Sequence, residues 1–226
     1  MTPAIRKRLL QIGFLVLIQA VALFASAWKW DWWNAWAFLG LYLACLAFNA
    51  FILLEKHKEL VEERSQVGEG AKSWDKVIGI VTGTGWFAIL ILAGLDERFG
   101  WAGSIPLWVQ IAAFALLGLS YPLFTWAMAS NTFFSKIVRI QKDRGHTVQT
   151  GGPYRFIRHP GYTSLLVSYI TIPIALGSPW ACIPMVMLVV NLFIRTALED
   201  RTLQNELDGY KEYAVRVRYR LIPGVW

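Results

Sequence analysis

Two clusters near the C-terminal end of this 226-residue chain have residue types and spacing suited to chemistry. The first is Gly151-Gly152-Pro153-Tyr154-Arg155-Phe156-Ile157-Arg158-His159-Pro160-Gly161-Tyr162. Gly152-Pro153 makes a turn. Pro160 pushes His159 towards an extended backbone and suits the first position of a following helix. Arg158 and His159 then stand at a helix N-terminus, where free backbone N–H groups and the helix dipole favour a negative ligand group. A plainer use of the same residues is Arg158 reaching lipid headgroups while His159 caps the helix. The second cluster is Arg195, Glu199 and Asp200, placed where an apolar helix ends. Arg195 and Glu199 are spaced i, i+4 and share one helix face. Ionisable groups that face a helical bundle rather than water are candidates for function, and the plainer alternative is an ion pair within the helix.

The elements that must position these clusters are membrane helices. Hydrophobic residues make up 56% of the chain and charged residues 16%, against about 25% charged in a soluble domain. Four apolar stretches, Leu9–Trp28, Trp33–Leu54, Val77–Leu95 and Leu107–Ala129, approach or exceed the roughly 20 residues that cross a bilayer. Two shorter ones, Tyr162–Leu176 and Trp180–Ile194, are separated by Gly177-Ser178-Pro179, a tight-turn signal. They predict a helical hairpin that crosses incompletely or leans on the other helices. The expected fold is all-α: a polytopic membrane helical bundle of four long spans, a C-terminal hairpin, and a cytoplasmic helix and tail. Cys45 and Cys182 both lie in apolar runs, which argues against a disulfide framework or a zinc site.

Charge sets the orientation. The N-terminus, the 55–76 loop, the 130–161 segment and the tail hold 3, 5, 6 and 6 Lys/Arg, 20 of the 22 in the chain. Lys29 and Arg98 remain for the other side, so the positive-inside rule makes the first side cytoplasmic. The net charge of +7 follows from this topology, and basic residues dispersed over four short loops make a poor nucleic-acid surface. Arg6-Lys7-Arg8, an apolar run and Ala25-Ser26-Ala27 imitate a cleavable signal peptide, but the run is longer than the usual h-region and favours a retained first helix. A hairpin entering and leaving on the cytoplasmic side returns Arg158/His159 and Arg195/Glu199/Asp200 to one rim. A cationic pair and an acidic pair would face one pocket there, open to cytosol and to lipid.

The N-terminal 1–130 region, read as a unit of transmembrane helices, carries few functional-looking groups. Trp28, Trp30, Trp32, Trp33 and Trp36 fit interfacial anchors at the ends of helices one and two. The 55–76 loop, with five basic and six acidic residues, reads as a solvated amphipathic helix-turn. Gly79, Gly83 and Gly85 suit close helix packing. Beyond the hairpin, Leu203, Leu207, Tyr210, Ala214 and Val217 predict an amphipathic helix interrupted at Gly209, whose apolar face lids the pocket or lies on the bilayer. The alternating Arg216, Arg218 and Arg220 suit headgroup contact.

Gly145-His146-Thr147-Val148-Gln149-Thr150-Gly151-Gly152-Pro153-Tyr154, followed by Arg158-His159-Pro160-Gly161-Tyr162, resembles the GHxxxTxGxY…RHPxY block of isoprenylcysteine carboxyl methyltransferases. The block is also similar to one in phospholipid N-methyltransferases. Arg195…Glu199-Asp200 resembles the family's R…EE motif, and Tyr210-Lys211-Glu212-Tyr213 with Arg216-Val217 resembles its EYxxYxxRV tail. The resemblance covers 131–226 and implies an S-adenosylmethionine-binding methyltransferase region there. It assigns the cofactor pocket to Gln149, Gly152, Tyr154, His159, Tyr162, Glu199 and Asp200. It places Arg195 by the acceptor's carboxylate, so that Arg195 and Glu199 are the candidate catalytic residues. Asp200 stands where a second Glu is usual, which leaves its role less defined. A lipid or prenylated acceptor is implied, entering from the bilayer, with no metal.

The implied activity is carboxyl O-methylation of an isoprenylcysteine-like or other lipid carboxylate. The site would face the cytoplasm, from the inner membrane of a bacterium or the endoplasmic reticulum of a eukaryote. Two alternatives stay open. One is a phospholipid or isoprenoid methyltransferase with a different acceptor, where Glu199 or His159 would take an amine's proton. The other is a non-catalytic lipid-binding or transport protein, against which the absence of ionisable residues inside the four long spans counts.

Overall fold

A computed structural model describes residues 3–56, 60, 70–101 and 103–226. Its α-helices are α1 (Pro3–Ala27), α2 (Trp33–Lys56), α3 (Ser73–Phe99), α4 (Leu107–Ala129), α5 (Pro160–Ala175), α6 (Cys182–Glu206) and α7 (Tyr210–Arg216). Two 3₁₀ turns, Lys142–Arg144 and Gly152–Arg155, interrupt the long α4–α5 connection. No strand occurs among the described residues. Most of the 55–76 loop, expected to be a helix-turn, lies outside them.

Among the described residues, five helices are long and apolar enough to cross a bilayer: α1 from Leu9, α2 to Leu53, and all of α3, α4 and α6. The chain is an integral, multi-pass membrane protein. The sixth apolar stretch differs from its expected length, since α6 runs 25 residues to Glu206 instead of ending near Ile194. Hydropathy stops at Arg195 because the next turns carry charge. The helix continues because other elements pair those charges.

α5 is short, with 16 residues, about 24 Å at 1.5 Å per residue. Its C-terminal end nonetheless reaches the far end of the bundle. Asn34 at the start of α2 donates to the Ala175 carbonyl at 2.6 Å and to Gln110 at the start of α4 at 2.6 Å. Ser178, in the hairpin turn, donates to Asp96 near the end of α3 at 2.6 Å. The N-terminus of α5 is therefore set back into the bundle, beside Phe124 of α4 and Phe134. A Cβ on Gly161 would lie 2.8 Å from the Phe134 ring, so a small residue is needed at that contact.

Helix packing in lipid relies on close fit and internal hydrogen bonds, because lipid tails are as apolar as the helices. The most extensive pairings are α4 with α5, α1 with α3 and α3 with α6. Leu23, Phe38, Ile89, Leu90, Leu117, Ile172 and Leu188 form the centre of the core. The glycines that permit close approach differ in part from those expected. Gly79 and Gly83 face open space, whereas Gly85 meets Leu188, and a Cβ on Gly94 would lie 2.8 Å from the Leu23 carbonyl oxygen. Trp32 likewise departs from the anchor role: it is 2% exposed, while Trp28, Trp30, Trp33 and Trp36 remain on the surface. Alternation of surface and core positions around the α1–α2 turn cannot be read from a run of tryptophans.

Candidate active site

The site lies where the α4–α5 connection, the start of α5 and the end of α6 converge. An open cavity lies there, with about 820 Å³ of space when the solvent at its mouth is included. Gln149, Tyr154, Arg158, His159, Tyr162 and Glu199 line it, joined by Asn131, Phe133, His146, Leu203, Tyr210 and Tyr213. Thus the two sequence clusters, some 40 positions apart, meet at one wall. Gly152, Arg195 and Asp200 are not among the lining residues, and Arg195 and Asp200 contact the wall through Tyr162 and His159.

Each lining group has a local cause. Gly152 adopts φ +56, and a Cβ there would lie 2.8 Å from the Ser130 Cβ, so glycine lets the turn close on the end of α4. That turn delivers Tyr154, whose hydroxyl accepts from Asn131 at 3.2 Å and donates to the Ala127 carbonyl at 3.4 Å. Burial raises the Tyr154 phenol well above its ordinary pKa and keeps it protonated. Gln149 is held only loosely, by 3.5 Å contacts to Thr147. His146 Nδ1 accepts from the Gln141 N–H at 3.3 Å, and its ring packs on Phe133 with centroids 4.5 Å apart. Burial, then Arg139 and Arg144, lower its pKa, so the imidazole is neutral.

At the helix wall, the Tyr162 hydroxyl donates to Glu199 Oε2. The His159 ring stacks parallel to Tyr162 at 5.7 Å, with Nδ1 3.9 Å from Glu199 Oε1 and Nε2 3.4 Å from Asp200 Oδ1. Asp200 is fully buried and gathers further partners: Arg158 Nη1 at 3.2 Å, Tyr210 OH at 3.0 Å, Gln204 Nε2 at 2.8 Å and Arg220 Nε at 2.9 Å. One carboxylate thus ties α5, α6, α7 and the tail together. A buried charge survives only when paired and hydrogen-bonded in this way.

These contacts revise several plainer expectations. Arg158 is 8% exposed and ion-paired, so it does not snorkel to headgroups. His159 makes no side-chain cap bond to α5. The tail takes the two backbone N–H groups just ahead of α5, with the Arg158 N–H donating to the Tyr219 carbonyl and the His159 N–H to the Arg220 carbonyl, both at 2.9 Å. Arg220 turns inward to Asp200 instead of reaching headgroups. Arg195 forms no i, i+4 pair with Glu199; its Nη2 meets Asp75 Oδ1 at 3.0 Å and donates to the Lys136 carbonyl at 2.8 Å.

The amphipathic pattern after α6 resolves into two pieces. Leu203 belongs to α6, Gly209 breaks the helix at φ +80, and α7 follows. Leu207, Tyr210 and Tyr213 pack with Ile140 and Val148 as an apolar wall beside the cavity. The Tyr213 hydroxyl donates to the Tyr154 carbonyl at 2.7 Å, fixing α7 to the 3₁₀ turn. Sequence reasoning passed over Asn131 and Asp75 as site partners, because each sits alone in a loop or at a helix start. No group of acidic, His or Cys side chains among the described residues could hold a metal.

Residues 111–205 match the sequence model of the Isoprenylcysteine carboxyl methyltransferase (ICMT) family. Two curated relatives, from Oryza sativa subsp. indica and subsp. japonica, are each described as a probable protein-S-isoprenylcysteine O-methyltransferase. Each is 27% identical over 86 residues, 37% of this chain and 45% of the relative. The chain thus spans less than half the length of those relatives. A solved structure of the eukaryotic intramembrane Ras methyltransferase ICMT has the same fold, with TM-score 0.56 at 19% identity over 93% of this chain and 73% of that one. The segment that carries both motif clusters is thus the part of the chain that is similar to the isoprenylcysteine carboxyl methyltransferase family.

Proposed function

We propose that this protein is an S-adenosylmethionine-dependent methyltransferase that esterifies a lipid-borne carboxylate, most closely an isoprenylcysteine, at the cytoplasmic face of its membrane. The observation that carries the reading is the shared wall of α5 and α6, where Tyr162, His159 and Glu199 meet in one cavity. The lining suits the cofactor's chemistry. Tyr154, Tyr162, Tyr210, Tyr213 and Phe133 offer ring faces to a nucleoside and to a sulfonium cation, and Glu199 offers a carboxylate to hydroxyl or ammonium groups.

When bound, S-adenosylmethionine supplies a methyl group already activated on a positive sulfur. The protein then has to align and dehydrate the reactants, and no strong base is required. An acceptor carboxylate is ionised at neutral pH, so its oxygen bonds the methyl carbon as the carbon–sulfur bond breaks, with no proton to move. Glu199 and Tyr162 hold the donor side, with Asn131, Gln149 and Tyr154 available for its polar groups. Arg195, behind the Tyr162 ring at 5.5 Å, is the group to orient a carboxylate. Asp200 acts through His159 and the tail and is a positioning residue. A second reading, a phospholipid amine as acceptor, draws on the His159–Glu199 contact, which suits proton removal.

Calorimetry on the purified chain should show S-adenosylhomocysteine binding, and its absence would sink both readings. Methyl-labelled donor with an S-farnesylated N-acetylcysteine then separates them. A methyl ester releases labelled methanol in alkali, and an N-methyl product does not.

A further inference from the structure

Asp75 lies outside the family-matched segment and in a stretch with no catalytic pattern. It opens α3 and is 4% exposed. One oxygen, Oδ2, accepts from the Val138 N–H at 2.8 Å, fastening the polar connection to the N-terminal helices. The other, Oδ1, stands 3.0 Å from Arg195 Nη2. The pair is not fully aligned. Among the described residues, Asp75 Oδ1 accepts no hydrogen bond and Arg195 Nε donates none, although both atoms are buried. A buried ion pair ordinarily satisfies its remaining donors and acceptors. Here one guanidinium donor and one carboxylate oxygen of the pair are left without a hydrogen bond, and the arginine side chain is still 15% exposed.

We infer that Asp75 is the resident counter-ion of Arg195, a positioning residue that sets both the place and the effective charge of the acceptor-orienting arginine. This rests on the carboxylate-acceptor reading above. In a low-dielectric site, an arginine without a counter-ion would hold an acceptor carboxylate tightly. Such ground-state binding lowers KM without helping the chemical step, and it ties up the electron pair that must attack the methyl carbon. With Asp75 in place, the guanidinium charge is already largely offset. The arginine then orients the acceptor oxygen while leaving it nucleophilic. The carboxylate and sulfonium charges cancel as the ester forms and the thioether leaves, so Asp75 exchanges no proton.

The test is Asp75→Asn in the full chain in lipid nanodiscs, because the amide oxygen can still accept from Val138 while the charge is gone. Three quantities are read: the Kd for S-adenosylhomocysteine, and KM and kcat with S-farnesylated N-acetylcysteine. The expected result is a Kd within twofold of the unsubstituted chain, kcat lowered at least tenfold and KM equal or lower. Asp75→Glu, which restores the charge, should recover most of kcat. A kcat within twofold of normal overturns the inference, as does a raised KM with kcat retained. Lost donor binding in Asp75→Asn also overturns it, since Asp75 would then serve the fold alone. If the unsubstituted chain binds S-adenosylhomocysteine yet forms no ester, the carboxylate reading itself fails, and this inference with it.

Discussion

The α5–α6 hairpin has a buried carboxylate near each end, and the two are built differently. At the turn, Asp96 of α3 accepts from the Ser178 hydroxyl, which also accepts from the Ala181 N–H at 3.2 Å. Small polar groups there fasten a tight turn against a neighbouring helix. At the open end, Asp200 is surrounded by Arg158, His159, Arg220, Tyr210 and Gln204, drawn from four separate segments. The first joins the turn to a neighbouring helix through a short hydroxyl side chain. The second depends on cationic and polar side chains converging from several segments, and a cavity lies against it. Burying a charge is costly at both ends, but only at the open end do its partners also shape a binding wall.

Asp200→Ala should break the comparison most. It strands Arg158 and frees the tail, and loss of one partner from a buried ion pair costs about 3–5 kcal/mol. Thermal unfolding in detergent should show a large drop in midpoint, together with lost S-adenosylhomocysteine binding. If the variant melts normally, the network does not hold the site together. Ser178→Ala tests the other end. An imperfectly satisfied buried carboxylate costs roughly 1–3 kcal/mol, so the midpoint should fall by several degrees while donor binding is retained. Coupled loss of donor binding would mean that the two ends are not independent.

Glu199→Gln leaves an acceptor for the Tyr162 hydroxyl and removes the charge. Donor affinity should weaken about tenfold, ~1.4 kcal/mol, with the unfolding midpoint nearly unchanged. Calorimetry that finds full affinity would remove Glu199 from the donor site. The smallest effect concerns His146. Its pKa in the folded chain lies below the ordinary value, mainly through burial. Its contribution to stability is therefore present above the unfolded-state pKa and is lost as pH falls through the folded value. A histidine NMR titration should place its midpoint below that of an exposed histidine, and a midpoint at or above it would contradict the buried, neutral ring.

Much of the fold was legible because lipid imposes simple rules. Apolar runs of spanning length, the Gly177-Ser178-Pro179 turn and the Gly209 break all correspond to observed elements. Of the site, the two motif clusters were visible as residues, and the hairpin explained how they could meet. The roles within them were less legible. Arg195 and Glu199 have the spacing of an intrahelical pair, yet each is claimed by another element, Asp75 and Tyr162. Arg158 and Arg220 looked like headgroup contacts because their partner, Asp200, lies in a different segment.

By itself the sequence determined the membrane-spanning helices, the turn that folds the hairpin, and the motifs similar to those of isoprenylcysteine carboxyl methyltransferases. Those features depend on composition and on neighbours a few residues away, which the chain carries in order. Only the tertiary structure decided that Asp200 clamps the elements around the cavity, that Glu199 lines it, and that Asp75 from the N-terminal helices supplies the partner of Arg195. Side-chain pairings across helices depend on rotation, depth and packing, and no local pattern encodes those.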